Sequence, residues 1–249
     1  MVRIGIIADI HANEEALSAV LAAMGRVDRL FCLGDVVGYG ASPESCIALL
    51  RESGTEAILG NHELGLLGRL EPSWFNAHAQ TALEWQRPRI SKASMDWLAS
   101  LPGTLEFEDV YLVHGAPPRS QTTYTLKACD VETSMHFVRH RVCMVGHTHV
   151  PALFTKRGNP GSRVLATWDQ VLVRPNTTMR YSSTDRLLVN PGSVGQPRDG
   201  LPLAAFAILD TFRRELTLRR VPYAVGEAKQ RIEESGLPTI LGDRLLVGR

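Results

Sequence analysis

Five times between residues 4 and 147 the chain repeats one unit, a short apolar run rich in β-branched residues that stops at a polar side chain. Ile4 to Ala8 stops at Asp9, Leu30 to Leu33 at Gly34-Asp35, Ala57 to Leu59 at Gly60-Asn61, Tyr111 to Val113 at His114, and Cys143 to Val145 at Gly146-His147. None of these runs alternates apolar with polar, so each reads as a strand buried on both faces, the habit of parallel sheets. Helical patterns lie between them. Glu14 to Met24 places Ala16, Leu17, Val20, Leu21 and Met24 on one face. Ser42-Pro43-Glu44 reads as N-cap, first-turn proline and first-turn acid, with Gly54 as the stop. Asp130 is expected to cap a further helix running to about His140. Strands alternating with helices predict an α/β (α+β) architecture.

From Pro151 onward the pattern changes. Alternating pieces such as Arg214 to Val221, separated by Gly, Pro and Asn turns, predict antiparallel sheet. The arginines between Arg213 and Arg220 are expected on its solvated face. Residues 64–101 read as a helical insertion near the site, carrying Trp74, Trp85 and Trp97 as core residues and closed by Pro102. A last helix over Glu227 to Ser235 stops at Gly236, so residues 224–249 form a C-terminal helix and tail. No repeat or low-complexity linker divides the chain, and one domain over residues 1–249 is expected.

Charge narrows the partners. With 27 Lys and Arg against 26 Asp and Glu, the net charge is +1, so no global field draws nucleic acid or an anionic membrane, and neither is expected as a partner. Affinity for phosphate must be built locally. The cysteines Cys32, Cys46, Cys129 and Cys143 form no C-x-x-C pair, and Cys32 and Cys143 lie inside apolar strands, which predicts a reducing cytoplasm. Met1 to Ile7 enters a strand pattern directly, without the features of a leader, and no apolar run approaches the ~18 residues that cross a bilayer.

What ends the strands is the chemically informative part. Asp9-Ile10-His11, Asp35, Asn61-His62, His114 and His147-Thr148-His149 are all metal-capable or acid-base residues, and the carboxyl ends of strands in an α/β sheet converge on one edge. Of eight histidines, only His78, His136 and His140 lie elsewhere. Asp9 and His11 are two residues apart, as are His147 and His149, so each pair can reach one ion. Carboxylate, imidazole and amide oxygen without thiolate favour Mn, Fe, Zn or a similar ion over a structural cysteine-type zinc. Asn13 reads as a helix N-cap or a phosphate contact, Tyr39 as a turn residue or a pocket wall, and Arg198 as a bidentate phosphate clamp.

In this order, D-x-H, G-D, G-N-H-E, H-G and G-H-T-H resemble the motifs of the calcineurin-like metallophosphoesterases. The segment Asn190-Pro191-Gly192-Ser193-Val194-Gly195-Gln196-Pro197-Arg198 resembles the bacterial branch related to diadenosine tetraphosphatases and protein phosphatases. The resemblance implies a four-layer α/β/β/α sandwich of two mixed β-sheets flanked by helices. It also implies two divalent metal ions, one held by Asp9, His11, Asp35 and His149 and the other by Asp35, Asn61, His114 and His147, with His62 as the catalytic residue at the leaving group. A hydroxide bridging the ions would attack a phosphate mono- or diester, and two carboxylates against two divalent ions leave the pocket positive. The alternatives are a dinucleoside polyphosphate pyrophosphohydrolase and, in another class, a non-catalytic scaffold of the same fold, as in a retromer subunit that lacks the catalytic histidine. One position departs from the family. Many relatives carry an aspartate three residues after the G-D aspartate to orient the histidine, whereas this chain has Gly38, so a backbone carbonyl or water is expected to orient His62.

Overall fold

The computed structural model describes residues 2–125, 127–158 and 167–249. Met1, where the opening strand pattern begins, and residues 159–166 of the stretch after Pro151 lie outside the described residues. In chain order the strands are β1 (Arg3–Ile7), β2 (Arg29–Cys32), β3 (Glu56–Ala57), β4 (Thr104–Phe107), β5 (Val110–Val113), β6 (Val142–Met144), β7 (Ala152–Lys156), β8 (Asp169–Val171), β9 (Thr178–Arg180), β10 (Arg186–Asn190), β11 (Ala204–Asp210) and β12 (Glu215–Val221). The helices are α1 (Glu14–Met24), α2 (Pro43–Glu52), α3 (Asn61–Leu66), α4 (Ala77–Gln86), α5 (Lys92–Ser100), α6 (Ala128–Met135), α7 (Val225–Glu234) and α8 (Ile240–Val247).

Two mixed sheets result, in the orders β3-β2-β1-β11-β12-β9 and β4-β5-β6-β10-β7-β8. The five apolar runs of the sequence are all parallel-paired strands: β1, β2 and β3 run together in one sheet, and β5 and β6 in the other, where β10 joins β6 in parallel. Period-2 side-chain alternation explains how the sheets stack. Ile4 and Ile6 of β1 and Ala207 and Leu209 of β11 face the second sheet and pack with Leu112, Met144, Leu187 and Val189. Ile7, Phe206 and Ile208 face outward and are covered by Leu17, Val20 and Met24 of α1 and by Ala228 and Ile232 of α7. On the far side α6 covers the second sheet, with Val131 and Met135 against Val113, Cys143 and Phe154. The order of layers is helix, sheet, sheet, helix. At Gly5, where β1 passes under α1, the Met24 side chain fills the space a Cβ would take, so a larger residue would have to displace it.

Three expectations change. Asp130 is the third residue of α6 and accepts the Lys127 N–H at 3.0 Å in a capping-box arrangement, and the helix ends at Met135 rather than near His140. Residues 237–249 include α8, whose Leu241 and Leu245 are buried in the outer core, so the tail is helical. Arg220 is buried, bonded to the Leu203 carbonyl at 2.9 Å and paired with Asp199, while its neighbours Arg213 and Arg214 are exposed as expected. Among the described residues, no helix is long and apolar enough to cross a membrane.

Candidate metal centre

Asp9 follows β1, Asp35 follows β2, Asn61 and His62 open α3 just after β3, His114 follows β5, and His147 and His149 follow β6. Backbone bonds zip these loops together: Asp9 N–H to Gly34 O at 3.1 Å, His11 N–H to Asp35 O at 2.9 Å, and Gly146 N–H to His114 O at 2.7 Å. Five of the site residues lie in the left-handed backbone region, Asp9 (φ 54°), His11 (48°), Asp35 (54°), His147 (68°) and His149 (61°). Such strain costs of order 1 kcal/mol or more per residue and persists only where the surroundings enforce it. The Asn190–Gln196 segment does part of that work. Its Asn190 amide donates to Gly146 O at 2.7 Å, Ser193 Oγ donates to Asp9 O at 2.7 Å, and Gly195 N–H donates to Asp9 O at 3.0 Å. This explains the polar turn residues in that stretch as braces of the site.

Two groups of donors form. Ligand atoms of Asp9, His11, Asp35 and His149 all lie within 4.8 Å of one another, and so do those of Asp35, His114 and His147. Asp35 belongs to both, and Asn61 Oδ1 joins the second group 3.2 Å from His114 Nε2. All seven side chains are buried.

The orientation of the imidazoles is set by backbone carbonyls. His11 Nδ1 lies 2.9 Å from Val37 O, His114 Nδ1 2.7 Å from Leu33 O, His149 Nδ1 2.6 Å from Gln196 O, and His147 Nε2 3.2 Å from Thr122 O. A carbonyl can only accept, so each of these nitrogens carries the hydrogen; in a neutral ring, as for His11, His147 and His149, the other nitrogen presents a lone pair, whereas His114 Nε2 faces the acceptors Asp35 Oδ2 and Asn61 Oδ1 and presents one only when a cation takes the place of its proton. His11 Nε2 and His149 Nε2 then face each other at 3.1 Å as two acceptors, with neither able to donate. Around them stand further acceptors, with Asp35 Oδ2 3.7 Å from His11 Nε2 and 3.3 Å from His114 Nε2, and Asp9 Oδ1 3.6 Å from His149 Nε2. Buried acceptors converging on one space are stable only around positive charge.

Electrostatics agree. Burial holds His11 and His149 well below the ordinary histidine range, and burial together with His114 takes His147 down to about 3, so all three are neutral and ligand-competent at neutral pH. Burial also raises Asp9 to about 7. At Asp35 burial is outweighed by His114 and His62, which hold it well below the usual carboxylate range. At His114 burial is outweighed by the Asp35 charge, which pushes it up to about 9. The donor set thus asks for compensating positive charge and fits divalent cations.

His62 stands beside both groups without belonging to either. Its N–H donates to Asp35 Oδ1 at 2.9 Å, and its ring is enclosed by His11 and Tyr39, each at 4.7 Å, and by Phe75 at 5.3 Å. Burial lowers it to about 4. Its Nδ1 is buried with no protein hydrogen-bond partner, so no backbone carbonyl takes the place of the family's aspartate; packing orients the ring instead. Gly38 is the reason. It lies at φ +88°, and a Cβ there would collide with His62 Nδ1.

Two buried polar residues were not assigned a role from the sequence. Glu63 accepts the N–H groups of Asp35 (2.8 Å), Val36 (2.7 Å), Val37 (3.1 Å) and Gly60 (2.8 Å), tying the β2 loop to the start of α3. Burial and Asp35 raise its carboxyl to about 7 against these four donors. Its place three residues into a helix after Gly60 is the capping-box position, which is the signal that could have found it. Gln86 of α4 accepts from Gly38 N–H and donates to Gly40 O, both at 2.7 Å, and so clamps the turn that carries Tyr39. Nothing local in the sequence marks Gln86, because its partners are 46 and 48 residues away.

Of the two substrate candidates, Arg198 lines the cleft beside the cluster. Its Nη2 donates to Gln196 Oε1 at 2.9 Å, and its guanidinium lies 5.8 Å from the centre of the Tyr39 ring. Asn13 does not line it. Its Oδ1 caps α1 through Ala16 N–H at 3.1 Å and its Nδ2 donates to Gly195 O at 2.9 Å, so both ends are used structurally. The cleft measures about 270 Å³. Tyr39 is both wall and turn, with φ 57°. Trp74 corrects the expectation of a core residue: it is 62% exposed on the cleft rim, while Trp85 and Trp97 are partly buried.

A family model of the calcineurin-like phosphoesterase superfamily domain matches residues 2–214. An uncharacterised protein of Methanocaldococcus jannaschii is 33% identical over 252 residues, covering 99% of this chain and 98% of that protein. A symmetrical bis(5′-nucleosyl)-tetraphosphatase of Chromohalobacter salexigens is 30% identical over 197 residues, 74% of this chain and 69% of that protein. A solved structure of a metallophosphoesterase from Sphaerobacter thermophilus is 36% identical and covers 100% of this chain and 99% of that one with a TM-score of 0.85.

Proposed function

Because the chain belongs to the calcineurin-like phosphoesterase superfamily and is a phosphoric ester hydrolase, we propose that its strand-end cluster holds two divalent ions and hydrolyses a phosphate mono- or diester in the adjoining cleft. Asp9, His11, Asp35 and His149 would hold one ion, and Asp35, Asn61, His114 and His147 the other, with the Asp35 carboxylate shared. The observation that carries this reading is the carbonyl-fixed set of imidazoles, whose lone pairs and the two carboxylates point at common space. Oxygen and nitrogen donors without thiolate favour manganese, iron or zinc. Such a pair of ions, when bound, supplies Lewis-acid polarisation of the phosphoryl oxygens and a water acidified toward neutral pH.

The chain's own residues do the rest. The Arg198 fork, held by Gln196 and the Tyr39 ring, faces the phosphoryl oxygens as a bidentate donor. His62, neutral at physiological pH, offers an N–H to the departing oxygen from a ring that packing keeps in place. Burial of the cluster strengthens each of these interactions by excluding water.

A second reading, hydrolysis of dinucleoside polyphosphates, is supported by the similarity to the tetraphosphatase and by the exposed aromatic rings of Trp74 and Tyr124 on the cleft. The scaffold reading leaves His62 and the full donor set without a use. Turnover of p-nitrophenyl phosphate, its bis ester and diadenosine tetraphosphate, measured with and without added manganese and after chelation, tests the assignment. Metal-dependent hydrolysis of at least one is expected; metal-loaded protein that cleaves none of these or other phosphate esters contradicts it.

A further inference from the structure

The cleft wall next to His62 is aromatic. Phe75 meets the His62 ring edge-on at 5.3 Å, and the preceding residue, Trp74, closes a single 3₁₀ turn and turns its indole outward, 62% exposed. The cleft lining also carries Tyr124, 47% exposed, whose ring stacks face to face on the His147 imidazole at 4.2 Å and 14°. Exposed Trp and Tyr rings on one concave surface are costly to leave in water, and the His147 stack fixes the plane of Tyr124 on one face while the ring stays 47% exposed. A leaving group assisted by His62 must depart along its side of the cleft, past Phe75 and Trp74. The cleft lining, apart from the metal-site residues and Arg198, carries no charged side chain that would select a cationic or acidic peptide.

We propose that Trp74 and Tyr124 form a subsite for a nucleobase, so that the substrate is a phosphoester or phosphoanhydride of a nucleoside rather than a sugar phosphate or a phosphorylated protein. This rests on the phosphoesterase reading above and narrows it. Base stacking on an aromatic side chain is energetically worth roughly a ten-fold or larger gain in affinity.

The test separates the two ideas. Adenosine monophosphate and ribose 5-phosphate share the phosphate and the sugar and differ in the base. Their affinities for manganese-loaded protein are measured by calorimetry, and the part of the tryptophan emission that is lost in Trp74→Ala reports on Trp74 against the other three tryptophans. These binding measurements do not require turnover, so a chain that hydrolyses nothing refutes the phosphoesterase reading while the subsite is still tested. The expected result is adenosine monophosphate binding roughly ten-fold or more tightly than ribose 5-phosphate, with quenching of indole emission, and a preference that collapses toward unity in both Trp74→Ala and Tyr124→Ala. Circular dichroism melting of both variants confirms that they fold, and Trp74→Phe, which keeps a flat ring, restores most of the preference. Equal affinity for the two ligands, an unchanged preference in the alanine variants, or tighter binding of a phosphoserine peptide than of the nucleotide overturns the proposal.

Discussion

At the scale of the residue, the site is a set of acceptors whose direction is imposed by backbone. The Asp35 carboxylate receives the His62 N–H, lies near His11 and His114, and belongs to both donor groups. Asp35→Asn is therefore expected to lose bound metal and to lower activity beyond the ~10–100-fold typical of losing a residue that only supports a ligand; metal analysis and steady-state kinetics on the same preparation check this, and full turnover would refute the shared carboxylate. Gly38 supplies a prediction of opposite flavour. Restoring the aspartate common in relatives, Gly38→Asp, is expected to impair the enzyme, because the position has φ +88° and its side chain would strike His62 Nδ1. The backbone strain alone is about 1–3 kcal/mol, so the melting temperature and kcat should both fall, with metal content retained. The five histidines at strand ends were legible from sequence because residue type and spacing carry the chemistry. The identity of what orients them was not, since four of the partners are backbone carbonyls that no side-chain pattern encodes.

Elements hold these residues through a few long-range clamps. Glu44, in the first turn of α2, accepts the Ser91 N–H at 3.0 Å, Ser91 Oγ at 2.7 Å and Ser94 Oγ at 2.8 Å, and so fastens the start of α5. Burial is the largest single influence and opposes its ionisation, but the serine donors and the Arg51 charge together outweigh it and hold its carboxyl below the ordinary 4.5. A carboxyl depressed in the folded state contributes stability that is fully present above its unfolded value and fades as pH falls through the folded one. Glu44→Gln is expected to cost about 1 kcal/mol at pH 7, given its partial exposure, and the difference between variant and parent in urea unfolding should shrink steadily once pH drops below about 4.5. A pH-independent difference would mean that the carboxylate charge is irrelevant to the clamp. The strands β1, β2, β3, β5 and β6 were legible to within two residues because their apolar runs are largely buried. The insertion of β10 and β11 beside β6 and β1 was not, since pairing between residues 45 positions apart, such as Val142 with Leu187, or 205 apart, such as Ile4 with Leu209, leaves no local mark. Helix α8 escaped notice for a different reason: Gly242 and a length of eight residues weaken the local signal, and burial of Leu241 and Leu245 against the outer core supplies the difference.

Taken as a whole molecule, the two sheets stack so that loops from both meet at one edge, and the candidate metal centre draws its donor residues from each. Asp9, His11, Asp35 and Asn61 follow strands of one sheet, and His114, His147 and His149 follow strands of the other. Ions held there bind the folded chain in preference to the unfolded one, so manganese at about 100 times its dissociation constant is expected to add about 2.7 kcal/mol per site, a rise of roughly 5–10 °C in melting temperature. Chelation should reverse the rise, and a melting temperature indifferent to both treatments would argue against a site that bridges the sheets. Anomalous scattering from manganese-soaked crystals locates the proposed pair of cations directly: two peaks about 3.5–4 Å apart are expected, one beside His11 and His149 and the other beside His114 and His147, with the Asp35 carboxylate between them. A single peak, or manganese found only elsewhere on the surface, would contradict the pair.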